Sequence, residues 1–181
     1  MNEGLIPRRY AKALYEVAAE RKDDSRIFQL MQTLCHSFDT VDGLKAAVVN
    51  PFVADTEKDR LIDTAAGATA DDSTFADFLK LLAENRRLAM IHEIALAYCD
   101  IYRKEHNIRR VTVVSAAPLD PAVEKRIKEL ISANLDGGTM EYSASVNPDL
   151  IGGFIVNIDN EQLDASLRDE FKQLRLSLLN K

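Results

Sequence analysis

The chain has 181 residues, of which 46% are hydrophobic and 29% charged, a balance typical of a folded globular protein and not of a disordered one. Its formal net charge of −6 disfavours nucleic acid as a partner, because an acidic surface repels phosphate groups. Few glycines and prolines disfavour an all-β fold, and two cysteines, Cys35 and Cys99, provide no disulfide framework and indicate a reducing compartment.

The first 105 residues carry apolar side chains at helical spacing. We predict six short amphipathic helices, whose apolar stripes cover residues 6–18, 27–38, 41–48, 61–65, 75–82 and 88–102. Gly67 is expected to end the fourth helix, whereas Asp55 should cap its start and Asp72 or Ser73 the start of the fifth. The links between these helices are short, which favours a compact antiparallel bundle.

The periodicity changes near residue 106. We predict strands at residues 109–116, 140–146 and 154–158, and a helix that begins at Pro121. A last helix is expected to begin near Asp164 or Ser166, with an apolar stripe at heptad-like spacing formed by Leu167, Phe171, Leu174 and Leu178. The predicted fold is therefore mainly α: a six-helix N-terminal bundle over residues 1–105, followed by a small α+β domain over residues 106–181.

The sequence contains none of the motifs that carry common chemistry. It lacks a G-x-x-x-x-G-K-[ST] phosphate loop, a zinc-type spacing of Cys and His, and a G-x-S-x-G nucleophile motif. Asp55, Glu57 and Asp59 imitate the start of a calcium loop, but Arg60 stands where that loop needs glycine. We therefore expect no metal, no cofactor and no catalytic residue, which favours a binding module over an enzyme.

One positive signal is surplus apolar surface on two helices. On the first helix the apolar positions span an arc of roughly 200°, about twice what one core-facing stripe requires. On the fifth helix Leu81 lies off the stripe of Phe75, Phe78, Leu79 and Leu82. Two interpretations remain: a groove for a partner helix, or two helices that are deep in the bundle and contacted on several sides.

Three stretches together resemble one family. They are residues 9–14 (RYAKAL), residues 78–88 (FLKLLAENRRL), and residues 147–154 (NPDLIGGF) with residues 163–168 (LDASLR). They are similar to the delta subunit of bacterial and chloroplast F-type ATP synthases, whose mitochondrial counterpart is the oligomycin-sensitivity-conferring protein. Arg86 and Ala165 depart from the pattern, because each stands where the family often has glycine.

The resemblance implies a non-catalytic stator subunit that links the catalytic head to the peripheral stalk, so that proton-driven rotation is coupled to ATP synthesis. The implied partners are the N-terminal segments of the alpha subunits and the C-terminal helices of the b subunits. In the family the groove for the alpha segment lies between the first and fifth helices, which implicates Tyr10, Ala13, Leu14 and Leu81. Leu178, near the end of the last helix, is expected to contact the b subunit.

The expected location is the cytoplasmic face of the inner membrane, as a peripheral part of the ATP synthase. No apolar run approaches the ~20 residues that span a bilayer, and the N-terminus resembles neither a signal peptide nor a transit peptide, which favours a bacterial protein. The alternative function is a small cytosolic helical adaptor or regulatory domain.

Overall fold

A computed structural model describes residues 4–133, 138–159 and 161–167. The chain divides into two compact units, Met1–Arg103 and Lys104–Lys181. Within the described residues the first unit is helical, and the second combines one α-helix with a four-stranded sheet. This confirms the predicted fold class of a helical bundle followed by a small α+β unit.

The N-terminal unit contains the six predicted helices. They are α1 (Leu5–Arg21), α2 (Asp24–Thr40), α3 (Leu44–Val49), α4 (Asp55–Ala66), α5 (Ser73–Glu84) and α6 (Ile91–Glu105). A single 3₁₀ turn, Leu88–Met90, precedes α6. Gly67 ends α4 in the left-handed conformation (φ 68°), as predicted, but the prediction for Asp55 was wrong: Ala54 is the N-cap and Asp55 is the first helical residue.

Helices α2 and α6 meet along an aromatic seam. Phe28 stacks on Tyr102 with 4.1 Å between ring centroids, and the Tyr98 hydroxyl donates to the backbone carbonyl of Asp24 (3.2 Å). Farther along the two helices, the ring of Phe38 lies 4.8 Å from that of His92, measured between centroids. Between these ring contacts, the thiols of Cys35 and Cys99 hydrogen bond to each other. Both cysteines are free, and Cys99 is buried as a small apolar residue.

The start of α5 is held by a polar cluster around Asp72. Arg26 on α2 donates through Nε and Nη2 to the two carboxylate oxygens of Asp72, each at 2.8 Å. The backbone N–H and the hydroxyl of Thr69 also donate to Asp72, whose side chain is only 6% exposed. Asp72 is the N-cap residue of α5, as predicted, but its carboxylate makes no capping hydrogen bond to the helix. Its side chain ties α5 to α2 instead.

The C-terminal unit is built on a sheet with strand order β2-β1-β3-β4. Its elements are β1 (Ile108–Ser115), α7 (Pro121–Ala133), β2 (Thr139–Val146), β3 (Gly153–Ile158) and β4 (Glu161–Ser166). Strands β1 and β2 are parallel and flank α7 in the chain, whereas β3 pairs antiparallel with both β1 and β4. Ile127 of α7 packs against Val111, Val113 and Val156 of the sheet.

The prediction for the last helix was wrong for one of its two candidate starts. Residues Glu161–Ser166 form an edge strand, so the helix does not begin at Asp164, whereas Leu167, directly after Ser166, is helical. Asp164 accepts a hydrogen bond from the backbone N–H of Ser166 (2.9 Å), which is the local geometry that makes an aspartate resemble a helix cap. Leu167 is described and partly exposed, while Phe171, Leu174 and Leu178 lie outside the described residues.

Gly153 marks a close approach between β3 and β4. Its φ is +80°, and a Cβ atom placed on it would lie 2.2 Å from the backbone oxygen of Ala165. A close approach of another backbone is a common reason for a glycine inside a strand. Because the obstructing atom belongs to the backbone of a paired strand, it cannot move aside without breaking the register of the ladder.

We expect Gly153→Ala to destabilise the C-terminal unit by about 2–5 kcal/mol, since it combines an unfavourable φ with steric overlap. Gly67→Ala is the matched control: Gly67 has a similar φ of +68° but open space around its Cβ position, so it should cost its own unit only about 1–2 kcal/mol. Native-state amide hydrogen exchange measures both free energies. Equal costs for the two variants would contradict the steric argument.

The hydrogen bonds from Arg26 hold the pKa of the Asp72 carboxyl below its usual range. A carboxyl with a depressed folded-state pKa adds stability above its unfolded pKa and loses that contribution as the pH falls. We therefore expect the N-terminal unit to lose stability to urea below about pH 4.

Asp72→Asn should lower the free energy of unfolding at pH 7 and should reduce the loss of stability between pH 7 and pH 3. Asp71→Asn is the control, because Asp71 is exposed and accepts a hydrogen bond from the Ser73 N–H (2.9 Å) through its backbone oxygen, which the substitution leaves in place. An acid sensitivity that is the same in Asp72→Asn as in the unmodified protein would show that another group causes it.

Candidate functional site: an apolar groove between α1 and α5

Two adjacent depressions on the N-terminal unit form one groove between α1 and α5. They share the side chains of Tyr10, Ala13 and Leu81. The apolar lining of the groove is Ile6, Tyr10, Ala13, Leu14, Val17, Phe78 and Leu81. Polar side chains occur towards its ends, where Arg9 and Arg87 line one depression and Arg21, Thr74 and Asp77 line the other.

The groove exists because α1 has two apolar stripes. One stripe is buried in the bundle and consists of Pro7, Ala11, Leu14 and Ala18. The second stripe, from Ile6 through Tyr10 and Ala13 to Val17, lies about 100° around the helix at 3.6 residues per turn. Val17 is 41% exposed, so this second stripe is on the surface.

Helix α5 supplies the opposite wall in the same way. Phe75, Phe78, Leu79 and Leu82 are buried, whereas Leu81 is 45% exposed and faces the groove. The interpretation in which both helices are buried on all apolar sides is therefore wrong. The surplus apolar arc that the sequence indicates corresponds to surface on both walls of the groove.

The structure brings together four of the five residues that the sequence analysis selected. Tyr10 is half-buried and Ala13 exposed on α1, and both face Leu81 across the groove. Leu14 is 3% exposed, so it belongs to the core and reaches the groove only at its floor. Leu178 lies outside the described residues.

The polar ends of the groove were missed by the sequence analysis. Thr74, Asp77 and Leu81 recur at spacings of three and four, which is the signal of a second stripe on α5. Arg21 Nη1 lies 3.3 Å from both Asp77 Oδ2 and the Thr74 hydroxyl, and this contact joins α1 to α5. Thr74 in turn donates to Asp23 at 3.1 Å.

At the opposite end the backbone after α5 turns sharply. Arg86 has a φ of 55°, a left-handed conformation that glycine adopts freely. This conformation explains why glycine is frequent at this position in the family pattern described above. The turn is closed by hydrogen bonds from Arg86 N to Ala83 O (2.9 Å) and from Arg87 N to Leu82 O (2.8 Å). It places the Arg87 guanidinium 6.0 Å from the centroid of the Tyr10 ring.

Neither metal ligands nor a membrane span stand out in the part of the chain that the structure describes. Within it, no three His, Cys, Asp or Glu side chains are grouped to hold a metal ion. None of its helices has the length and hydropathy to cross a membrane. The groove is lined by apolar, arginine, threonine and aspartate side chains, a set suited to docking a polypeptide.

The chain is similar to known proteins over nearly its whole length. A family model described as "ATP synthase delta (OSCP) subunit" matches residues 6–178. The ATP synthase subunit delta of Bacteroides fragilis is 37% identical over 182 residues, covering 100% of this chain and 97% of the relative. That of Parabacteroides distasonis is 36% identical over 179 residues, covering 99% and 98%.

The fold is also similar to that of a chain in the cryo-EM structure of the Toxoplasma gondii mitochondrial ATP synthase hexamer. The TM-score is 0.76 at 20% sequence identity, with 96% of this chain and 97% of the other covered. The likeness therefore concerns the fold of both units. Together with the family match, it confirms the resemblance seen in the sequence. The chain belongs to the ATP synthase delta (OSCP) subunit family and is a non-catalytic stator subunit of an F-type ATP synthase.

Proposed function

We propose that the N-terminal unit holds the N-terminal segment of an ATP synthase alpha subunit as a helix in the α1–α5 groove. The observation that carries this proposal is the exposed apolar stripe on each wall, in a unit whose core is already filled by other residues of the same helices. An amphipathic helix can fill such a groove with the apolar side chains that it carries at every third or fourth residue. Because the chain belongs to this family, the alternative function of a small cytosolic adaptor or regulatory domain is not favoured.

The shape of the groove favours a closely packed helix. Ala13 has a small side chain, so the backbone of a partner can approach α1 there. Tyr10 and Leu81 stand at either side as larger apolar anchors, and the Tyr10 ring is partly exposed beside Arg87. Tyrosine is among the residues enriched at interface hot spots, where it becomes desolvated on binding.

We further propose that the C-terminal unit binds the C-terminal helices of the b subunits, with Leu178 among the contacts. Apolar side chains of this unit are exposed in the described part, including Val146, Ile151, Leu163 and Leu167. With both attachments the chain would link the catalytic head to the peripheral stalk on the cytoplasmic face of the inner membrane. Such a link would hold the head still while proton-driven rotation is coupled to ATP synthesis.

We expect Tyr10→Ala to weaken binding of an alpha N-terminal peptide by ~1–3 kcal/mol, because it removes an aromatic anchor. Ala13→Leu should also weaken binding, since the larger side chain fills the floor of the groove. Calorimetric titration of the full-length chain with a peptide from the alpha subunit of the same organism measures both effects.

Leu96→Ala is the control for these variants, because Leu96 is an exposed leucine of α6 that does not line the groove. Leu14 is unsuitable as a test residue: it is buried, so Leu14→Ala should cost ~2–5 kcal/mol of folding stability. If Tyr10→Ala and Ala13→Leu are folded and bind the peptide like Leu96→Ala, the groove is not the docking site.

We expect removal of residues 176–181 to leave alpha-peptide binding unchanged and to weaken binding of a soluble b-subunit fragment. The removed segment contains Leu178, an apolar residue of the heptad-like stripe, and such a stripe suits contact with a helical partner. The thermal stability of the free truncated chain is measured beside both affinities. Reduced stability with unchanged b binding would assign Leu178 to the core of its own unit.

A further inference from the structure

We propose that the helix docked in the α1–α5 groove carries one or more carboxylates at the end that meets Arg9 and Arg87, and that this contact determines its direction. The inference rests on the proposed docking of an alpha-subunit segment and specifies what that segment must contain. It follows from the different charges at the two ends of the groove.

At the end formed by Arg21, Thr74 and Asp77, the positive charge already has a partner. Arg21 Nη1 lies 3.3 Å from Asp77 Oδ2 and donates to the Thr74 hydroxyl at the same distance. A helix that meets this end therefore finds a neutralised pair. A carboxylate placed there gains little, because the nearby aspartate repels it as the arginine attracts it.

At the other end, Arg9 and Arg87 line the groove. Among the residues that the structure describes, neither arginine has a carboxylate within ion-pair distance. The contacts of the Arg87 guanidinium are the Tyr10 ring and the Met90 sulfur, the latter at 3.9 Å from Nη1.

Helix electrostatics explain the arginine at the end of α5 but not the one at the start of α1. A cation after the C-terminus of a helix is favourable, which suits Arg87. Arg8 and Arg9 lie in the first turns of α1, where the helix dipole favours anions, and the first turn of α1 contains no acidic residue. An arginine at this unfavourable position in α1 is explained if a carboxylate of the partner helix binds it.

The apolar part of the groove cannot by itself choose between the two directions of a helix. Ile6, Ala13 and Val17 repeat along α1 at similar spacing, so an amphipathic helix can bury its stripe in either direction. Only the ends differ in charge. A carboxylate near one end of the partner is attracted by Arg9 and Arg87 in one direction and meets the Arg21–Asp77 pair in the other.

The experiment titrates the full-length chain with two peptides: the alpha-subunit N-terminal segment of the same organism, and the same segment with every Glu and Asp replaced by its amide. We expect the amidated peptide to bind roughly tenfold more weakly at low salt. Raising NaCl from about 50 to about 500 mM should weaken the native peptide much more than the amidated one, because salt screens exposed charges.

The matching protein variants are Arg9→Glu and Arg87→Glu, with Lys45→Glu as the control. Lys45 is an exposed residue of α3 outside the groove, and its substitution changes the net charge by the same amount. We expect the two arginine variants to weaken the native peptide roughly tenfold and to leave the amidated peptide nearly unchanged, while the control binds like the unmodified chain. Circular dichroism checks that each variant is folded.

The outcomes separate this inference from the function on which it rests. Absence of binding of the native peptide to the unmodified chain overturns the proposed docking itself. If the native peptide binds but contains no acidic residue, or if amidation leaves its affinity and salt dependence unchanged, the charge contact is wrong and the docking proposal stands. If a variant fails to fold, the two peptides on the unmodified chain still decide the matter.

Discussion

The central constraint on this molecule is that α1 and α5 each bury only part of their apolar surface in the bundle. On α1 the buried stripe is narrow and rich in alanine, since Ala11 and Ala18 lie at its centre. These small residues let neighbouring helices pack closely, while the larger Tyr10 and Val17 are about a quarter turn away. The second stripe is therefore left on the surface by geometry, and α5 leaves Leu81 on the surface for the same reason.

A groove needs walls at a constant separation, and polar contacts provide this at one end. Arg26 ties the start of α5 to α2 through Asp72, while Arg21 at the end of α1 contacts Asp77 and Thr74. These contacts join side chains that are far apart in the sequence. Charged residues therefore lie beside an apolar groove because they position its walls, and not because they have a catalytic role.

The sequence analysis was most accurate where local pattern and tertiary packing agree. The six N-terminal helices and the end of the fourth helix at Gly67 were predicted and confirmed. It was wrong at Asp164, where a local hydrogen bond typical of a helix cap occurs near the end of an edge strand. Strand β4 exists because β3 offers a free edge, and no local pattern in the sequence reports that edge.

The amino-acid sequence by itself determined the fold class, the family and the surplus of apolar surface on α1 and α5, because each depends on periodicity or on short motifs within one chain segment. Only the tertiary structure decided that this surplus forms one groove, that Leu14 belongs to the core, and that Arg9 and Arg87 meet at one end. Those facts depend on the rotation and separation of helices that are some 70 residues apart in the chain, and packing of the whole bundle sets both.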